Sequence, residues 1–269
     1  MRKIHIKSIE SSFNIECESA TYNSQFWDKV ELGDYEPDVQ NTIKRWIDPK
    51  TKFFDVGAAE GCMSLIAASL GAQVIAYEPF ESHFKALSKN VRANPEFSQR
   101  IKLEKAIISN FSGGVDLNLA RGKYLSSINY NDFDSEIDND FIPILDLANE
   151  ISKYSENLKI VIKIDIEGSE YLTLSDPKLL NVLKNYDTKL ILAIHPGFFR
   201  PIQKAIPPIM ILQKCIFQIR NGIDNYRLFK RLTQFAAIHR SNEIKVNSAS
   251  KFIIMSLAGV YEYNIHFKR

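Results

Sequence analysis

A strand, a glycine turn, a helix and a second strand ending in an acid follow one another early in the chain. Residues 52–56 are mostly apolar, and the turn Gly57-Ala58-Ala59-Glu60-Gly61 comes directly after them. A second apolar run, 74–77, ends at Glu78, which lies 21 residues after Gly57. This spacing is typical of a β-α-β unit whose first turn lies against a ligand and whose second strand offers a carboxylate to ribose hydroxyls. The chain is therefore expected to build an open α/β sheet around a nucleoside site.

The residues of the turn distinguish between classes of ligand. A dinucleotide site needs glycines at the first, third and sixth positions, and here Ala59 and Cys62 occupy the third and sixth. A phosphate-binding P-loop ends in Gly-Lys-Ser/Thr, whereas this turn continues as Gly61-Cys62-Met63. The acid before the turn, Asp55, suits a cationic group of the ligand rather than a phosphate. S-adenosylmethionine is the predicted cofactor, because it carries an ammonium, a sulfonium and a ribose diol but no phosphate.

Composition limits the class of protein. The 269 residues, 45% of them hydrophobic, can bury one large core with room for one appended element. The net charge of +2 is too small to predict a nucleic-acid surface. No run of 18 apolar residues predicts a transmembrane helix, and the amino terminus lacks a continuous apolar signal segment. Three distant cysteines predict neither a disulfide framework nor a zinc site, so we expect a cytoplasmic protein.

Strands and helices alternate after residue 50, whereas the first 50 residues are mixed. In this N-terminal preface, 1–50, the pattern predicts a short strand around residues 4–9 and a helix over 39–47. Further helices are predicted over 62–70 and between Ser82 and Asn94, and strands over 52–56, 74–77, 101–108, 115–119, 160–166, 190–194, 235–239 and 252–257. The alternation predicts one doubly wound, mostly parallel seven-stranded α/β domain over 51–269.

The segment after the fifth core strand is expected to shape the substrate pocket. We predict that residues 198–233 form a cap or insertion. Within it, residues 206–217 are unusually apolar and predict a core helix that follows two prolines. A lid over the substrate, or a face that meets a membrane surface or another subunit, are the alternatives.

Polar residues stand at the ends of four predicted strands. They are Asp55 with Gly57, Glu78, Asp165 with Glu167, and His195. Because ligand sites of doubly wound sheets lie at the carboxyl strand ends, these residues are expected to meet in one crevice. Glu78 is the predicted ribose ligand, since its two oxygens can accept from both hydroxyls of a diol. Asp55 is predicted to orient turn amides or water near the ammonium end of the cofactor.

The fourth core strand carries a lysine and two acids on one side. Strand alternation places Lys163, Asp165 and Glu167 together, and an embedded lysine needs a carboxylate partner because an isolated buried charge is costly. One acid is expected to pair with Lys163 and the other to face the ligand. Asp165, at the strand tip, is the predicted site residue, and Glu167 is the second candidate. With His195 these acids could also hold a hard cation, but the predicted site contains no metal.

His195 directly follows the apolar strand 190–194 and precedes a proline-glycine turn. Its unperturbed pKa of about 6.5 would suit a general base. Proton removal by a positioned base typically contributes about 10² to 10⁴ in rate. The alternative is a hydrogen-bonded structural histidine, and both interpretations remain open from the sequence.

Several blocks of sequence resemble the FkbM-type family of S-adenosylmethionine-dependent methyltransferases over about residues 33–197. They are Phe54-Asp55-Val56-Gly57-Ala58-Ala59-Glu60-Gly61, Glu78-Pro79, Ile144-Leu145-Asp146-Leu147 and Ile162-Lys163-Ile164-Asp165-Ile166-Glu167-Gly168-Ser169-Glu170. The resemblance implies a class I Rossmann-like fold and methylation of a hydroxyl on a sugar, a glycan precursor or another small molecule. Gly33-Asp34-Tyr35-Glu36-Pro37 is similar to a segment before the core of such proteins, which implies that Glu36 lies near the cofactor.

Two positions differ from the family pattern. The family often has Asn where this chain has Ala59, so one polar contact near the methionine end of the cofactor is removed. The family also often has a glutamate before the histidine on strand five, whereas Ala193 stands in that neighbourhood here.

These observations define the predicted site and function. The predicted catalytic residues are Asp165, His195 and Glu167. The predicted cofactor-binding residues are Glu36, Asp55, Gly57, Ala58, Gly61, Glu78, Pro79, Phe80, Ala106 and Asp165. We predict O-methylation of a small-molecule acceptor, without nucleic acid as a partner, and leave a homo-oligomer open. The alternatives are a non-catalytic module that keeps the fold, and N-methylation, although strand four lacks the Asn/Asp-Pro-Pro-aromatic block common in enzymes that methylate bases.

Overall fold

The computed structural model describes residues 1–16, 25–116, 141–154, 159–166, 168–186, 188–195, 209–257 and 262–267. Its strands are β1 (Arg2–Ile6), β2 (Ser11–Ile15), β3 (Thr51–Val56), β4 (Gln73–Tyr77), β5 (Ile101–Glu104), β6 (Ile107–Ser109), β7 (Gly113–Asp116), β8 (Phe141–Asp146), β9 (Lys159–Ile164), β10 (Lys189–Ala193), β11 (Ala236–Arg240) and β12 (Glu262–Phe267). Its α-helices are α1 (Phe26–Leu32), α2 (Pro37–Trp46), α3 (Cys62–Ser69), α4 (Glu81–Arg92), α5 (Leu147–Ser152), α6 (Glu170–Thr173), α7 (Pro177–Asn185), α8 (Ile209–Leu232) and α9 (Ala249–Leu257).

Seven strands form the central sheet in the order β11-β12-β10-β9-β3-β4-β5. Strands β10, β9, β3, β4 and β5 are parallel to one another, while β12 is antiparallel to both β10 and β11. From β3 the chain adds β4 and β5 on one side and later β9 and β10 on the other, so the strand order reverses at β3. Ligands bind at such a switch point, outside the carboxyl ends of the strands. The predicted mostly parallel seven-stranded α/β sheet is confirmed.

The two faces of the sheet are covered by different parts of the chain. Alternate residues of β3, such as Phe53 and Phe54, belong to separate buried clusters. The cluster around Phe53 includes residues of the β1–β2 hairpin and of α1 to α4. The cluster around Phe54 includes residues of α5 to α9. Residues 1–16 and 25–47 therefore pack directly on one face of the sheet, as part of the same core.

Two predicted strands are corrected by the structure. Residues 252–257, predicted as a strand, lie in helix α9, where Phe252 and Ser256, four residues apart, are buried and Ile254 is 66% exposed. A short apolar run cannot be assigned to a strand or a helix by periodicity alone. The predicted strand 101–108 divides into β5 of the central sheet and β6 of a three-stranded sheet with β7 and β8. The last strand of the central sheet is β12, which the sequence analysis did not predict.

Helix α8 covers most of the segment predicted as a cap. Residues 198–208 lie outside the described residues, and 209–232 form this single helix. Its second half is a core helix on one side, where Leu228 and Leu232 are buried, while Ile219 and Ile223 on the other side are exposed. Among the described residues, no helix combines the length and apolar character needed to cross a membrane.

Candidate active site

The strand register aligns polar groups along the carboxyl edge of the sheet. Val56 is paired with Tyr77 on one side and with Ile164 on the other. The next residue of each strand, Gly57, Glu78 and Asp165, therefore lies at the same edge of the sheet. Asp165 donates its backbone N–H to the carbonyl of Val56 at 3.0 Å, which extends the pairing by one residue. The structure thus brings the predicted strand ends to one crevice, while Glu167 lies outside the described residues.

The turn after β3 is packed closely against its neighbours. Gly57 has a φ of +82°, and a Cβ on it would overlap the carbonyl oxygen of Asp165. Gly61 has a φ of +92°, and a Cβ there would lie 2.5 Å from Leu87 Cδ1 of α4. The backbone N–H groups of Gly57 and Ala58 both donate to the carbonyl of Tyr77 at 3.0 Å. Only glycine fits at 57 and 61 without movement, because a positive φ and close backbone approach coincide there.

Glu78 is a carboxylate held in place by two backbone amides. Its Oε2 accepts from the N–H of Ala59 at 2.8 Å, and its Oε1 accepts from the N–H of Phe80 at 2.9 Å. Pro79 and Phe80 follow it directly and are partly buried. His83 Nδ1 lies 3.8 Å from Oε1. A carboxylate oxygen can accept more than one hydrogen bond, so contact with the backbone amides is compatible with binding of a diol.

Lys163 is the buried cation at the centre of the site. Its Nζ lies 3.0 Å from Asp165 Oδ2, so Asp165 is the acid that pairs with it. Burial alone would lower the pKa of Lys163, but Asp165, Asp55 and Glu36 together raise it. Burial would likewise raise the pKa of Asp165, but Lys163 and His195 lower it. Both groups are therefore charged at neutral pH.

Two further carboxyl groups share this single cation. Asp55 is fully buried and accepts from Ser64 Oγ at 2.6 Å through Oδ2. Its Oδ1 is buried and has no hydrogen-bond partner within the described part of the chain. Burial raises the pKa of Asp55 and that of Glu36, and Lys163 opposes both shifts. Glu36 stands at the start of α2 with a φ of +43°. The site thus has more acidic groups than cations, which favours a positively charged ligand.

Glu262 is an acid of the site that the sequence analysis missed. It begins β12 and is paired with Ala193 of β10, the position that departs from the family pattern. Its pKa is raised to about 7, mainly by burial and also by Glu36, Asp38 and Asp165, while Lys163 opposes the shift. No local pattern marks this residue, because its placement depends on an antiparallel strand that is distant in sequence.

His195 is held by a second buried acid that had no predicted role. Its Nδ1 lies 2.9 Å from Glu170 Oε1, and its Nε2 lies 3.7 Å from Asp165 Oδ1. Glu170 is fully buried and also accepts from the N–H groups of Ile166 and Gly168. Because a carboxylate accepts, Nδ1 of His195 is the donor, and the lone pair of the neutral ring is on Nε2. The signal in the sequence is the place of Glu170 in the block after strand four.

Asp165, Glu170 and His195 offer atoms within 4.8 Å of one another, a spacing that a metal ion could bridge. The ammonium of Lys163 is already bound to Asp165, however, and like charges repel strongly at a buried site. The arrangement therefore favours a histidine held between two acids over a metal centre.

Ala106, predicted to bind the cofactor, is 1% exposed and packs in the core cluster on the face of the sheet that carries α5 to α9. Any contact with a ligand would involve its backbone rather than its side chain.

Comparison with known proteins gives only distant likenesses. No protein-family model matches the chain, and no curated protein gives a significant match. Among solved structures, the methyltransferase FkbM from Methylobacillus flagellatus has a TM-score of 0.42 and 14% identity. That alignment covers 93% of this chain and 55% of the other. Precorrin-6y C5,15-methyltransferase from Geobacter metallireducens has a TM-score of 0.35 and 13% identity, with 81% of this chain and 80% of the other covered. The fold assignment rests on the strand order and not on these scores.

Proposed function

We propose that this chain is an S-adenosylmethionine-dependent methyltransferase of the FkbM type that methylates a hydroxyl of a small molecule. The observation that supports this most strongly is the charge of the crevice. Asp55, Glu36, Asp165 and Glu262 surround one lysine, beside a carboxylate fixed at the end of β4. Such a site suits a ligand with cationic groups and a ribose diol.

The residues present fit this cofactor. Glu78 would accept from the ribose hydroxyls, and the unpartnered Oδ1 of Asp55 is an acceptor for a donor such as an ammonium. Gly57, Ala58 and Gly61 keep the turn free of bulky side chains. Bound S-adenosylmethionine would supply a methyl group on a cationic sulfur. We also assign Glu36 to the ammonium group of the cofactor, because both Glu36 and Asp55 interact electrostatically with Lys163.

The proposed roles of the remaining residues concern the acceptor. Glu170 orients His195 so that Nε2 can remove the proton of an acceptor hydroxyl. Asp165, 3.7 Å from Nε2, would orient that hydroxyl and stabilise the charged imidazolium that forms. Alignment of the hydroxyl with the methyl group contributes more than proton removal, because holding two reactants in the correct geometry can lower the activation barrier by about 7 to 11 kcal/mol. Glu167 remains a proposed contributor on the basis of the resemblance alone.

The acceptor is proposed from the resemblance and from charge. The family implies a sugar or a glycan precursor, and a net charge of +2 offers no broad basic surface for nucleic acid. A neutral polyol also fits as the acceptor, because the acidic groups of the crevice would already be bound to the cationic groups of the cofactor.

Replacement of His195 by Gln tests this mechanism. The purified protein is incubated with methyl-labelled S-adenosylmethionine and a panel of monosaccharide glycosides and nucleotide sugars, and labelled product is measured. His195→Gln should lower kcat by about 10² or more, since a positioned base is lost, with unchanged affinity for S-adenosylhomocysteine.

His5→Gln is the matched control, because His5 is exposed on the N-terminal hairpin and contacts Ser12. Full activity of His195→Gln would remove His195 from the mechanism. Transfer to amines but not to hydroxyls would replace O-methylation by N-methylation.

A further inference from the structure

A second group of titratable side chains lies away from the crevice, on β11, on the turn that follows it and on β12. His239, Glu243 and His266 each offer one ligand atom, and these atoms lie within 4.8 Å of one another. His266 is paired with Lys189, which begins β10, whereas Glu262 at the other end of β12 is paired with the last residue of β10. The group therefore lies toward the opposite edge of the sheet from the candidate active site.

Strand pairing brings the two histidines together. In the antiparallel register, His239 lies opposite Asn264 and Ala237 lies opposite His266. Residues two apart on a strand share a face, so both rings project to the same side of the sheet. Their ring centroids are 4.9 Å apart with an interplanar angle of 80°.

The turn after β11 brings the carboxylate to the rings. The chain folds back so that Arg240 N–H donates to the carbonyl of Ile244 at 2.9 Å, and Glu243 stands in this turn with a φ of +65°. A non-glycine residue with a positive φ is uncommon and persists only where its surroundings fix it. Here Glu243 Oε1 accepts from Arg45 Nη2 at 3.1 Å and from Asn264 Nδ2 at 2.9 Å. These contacts turn Oε2 toward His266.

One ring nitrogen of each histidine in this group lacks a hydrogen bond among the described residues. Within the described ranges, His239 Nδ1 and His266 Nε2 are both buried without a hydrogen-bond partner. Glu243 Oε2 lies 3.4 Å from His266 Nε2, longer than the about 2.7 to 3.2 Å of an ordinary hydrogen bond to nitrogen.

We propose that His239, Glu243 and His266 form a site for a divalent transition metal, with Zn²⁺ as the best fit. Bonds of about 2.1 Å at tetrahedral angles place neighbouring ligand atoms about 3.4 Å apart, which matches the separation of His266 Nε2 and Glu243 Oε2. Two imidazoles and one carboxylate suit Zn²⁺, Co²⁺ or Ni²⁺ better than Ca²⁺ or Mg²⁺. Three protein ligands leave the fourth position to water.

Arg45 and Asn264 act as outer partners that orient the carboxylate, as such groups do around metal ligands. Through Arg45 the site links the β11 turn to helix α2. The bound ion would therefore strengthen the packing of α2 on the sheet edge, which gives the site a structural role separate from the crevice.

Trp46 provides a local reporter, because its ring centroid lies 5.0 Å from that of His266. The chain has two tryptophans, so Trp27→Phe leaves Trp46 as the only one. In this background, CoCl₂ should quench the fluorescence saturably with one equivalent per chain, and ZnCl₂ should reverse the quenching by competition.

Four variants in the same background decide the assignment. Glu243→Gln, which leaves the contact between Trp46 and His266 in place, and His239→Gln should both abolish saturable quenching. Arg45→Gln should weaken it by about tenfold, as loss of an outer partner typically does. His195→Gln, which breaks the other histidine–carboxylate cluster, should leave it unchanged. Absence of saturable quenching in the Trp27→Phe protein, or equal quenching in a folded Glu243→Gln protein, would overturn the proposal.

Discussion

At the scale of single residues, the crevice is defined by how each acid is partnered. Glu78 is bound by two amides, Asp165 by a lysine, Glu170 by two amides and a histidine, and Asp55 by a serine. Strand-end residues such as Glu78 and His195 could be predicted, since parallel strands align their carboxyl ends. Glu170 was not predicted, because its contact with His195 depends on the fold of the loop after β9, although it lies in the sequence block that follows this strand.

Glu78 should dominate cofactor affinity if it binds the ribose. Glu78→Gln keeps the size of the side chain but removes a charged acceptor, and hydrogen bonds to charged groups contribute about 1.5 to 3 kcal/mol. We expect S-adenosylhomocysteine to bind about tenfold or more weakly by calorimetry. Glu81→Gln is the control, because Glu81 lies three residues later and pairs with Lys85 and Lys105. Equal affinity in both variants would refute the ribose role.

Glu262 should make stability fall as pH rises. Its pKa is raised from 4.5 to about 7 in the folded protein, so the unfolded chain releases this proton first. The folded state loses stability as pH rises from about 4.5 to 7, by at most about 3 kcal/mol, and the loss is complete above 7. The difference in Tm between Glu262→Gln and the wild type should therefore shift in favour of the variant as the pH rises from 5 to 8. Parallel Tm curves would contradict the placement of Glu262 among the other acids.

At the scale of elements, the most informative region is the edge formed by β11, β12 and α2. Asn264 of β12 is buried and donates to Thr42 of α2 at 3.2 Å and to the carbonyl of Ser241 at 3.3 Å. Ser241 Oγ in turn donates to Asp38 of α2 at 2.6 Å. None of these contacts can be predicted from local sequence, since the two that reach α2 join residues more than 200 positions apart and the third joins residues 23 apart. Local pattern sufficed for α2 and β11 themselves, because their apolar spacing is regular.

Loss of Asn264 should loosen this edge. Asn264→Ala removes its hydrogen bonds to Thr42, Ser241 and Glu243 and leaves Arg45 as the remaining donor to these acceptors. We expect the loss to cost about 1 to 3 kcal/mol. The measurement is urea unfolding with EDTA present, so that bound metal does not contribute. Asn242→Ala, an exposed residue of the same turn, should change the free energy of unfolding by less than about 0.5 kcal/mol. Equal effects of the two substitutions would mean that the network adds nothing to the packing of α2.

At the scale of the whole molecule, the sheet order and the site depend on each other. The reversal of strand order at β3 creates the crevice, and residues 1–16 and 25–47 cover the face on which Asp55, Lys163 and Glu36 meet. The alternation of strands and helices predicted the parallel core, because each apolar run is followed in the sequence by residues typical of a turn. The alternation did not predict β12, because this antiparallel strand depends on packing against α8, β11 and α9, which precede it in the chain.

The central claim is that this crevice binds S-adenosylmethionine, and calorimetry of the wild-type protein tests it most directly. Titration with S-adenosylhomocysteine should give saturable binding near one equivalent per chain, because the acids and the ribose-facing carboxylate match that ligand. Titration with NAD should give none, because the turn lacks the glycines that a pyrophosphate needs. Binding of NAD, or no binding of S-adenosylhomocysteine by the folded protein, would contradict the account.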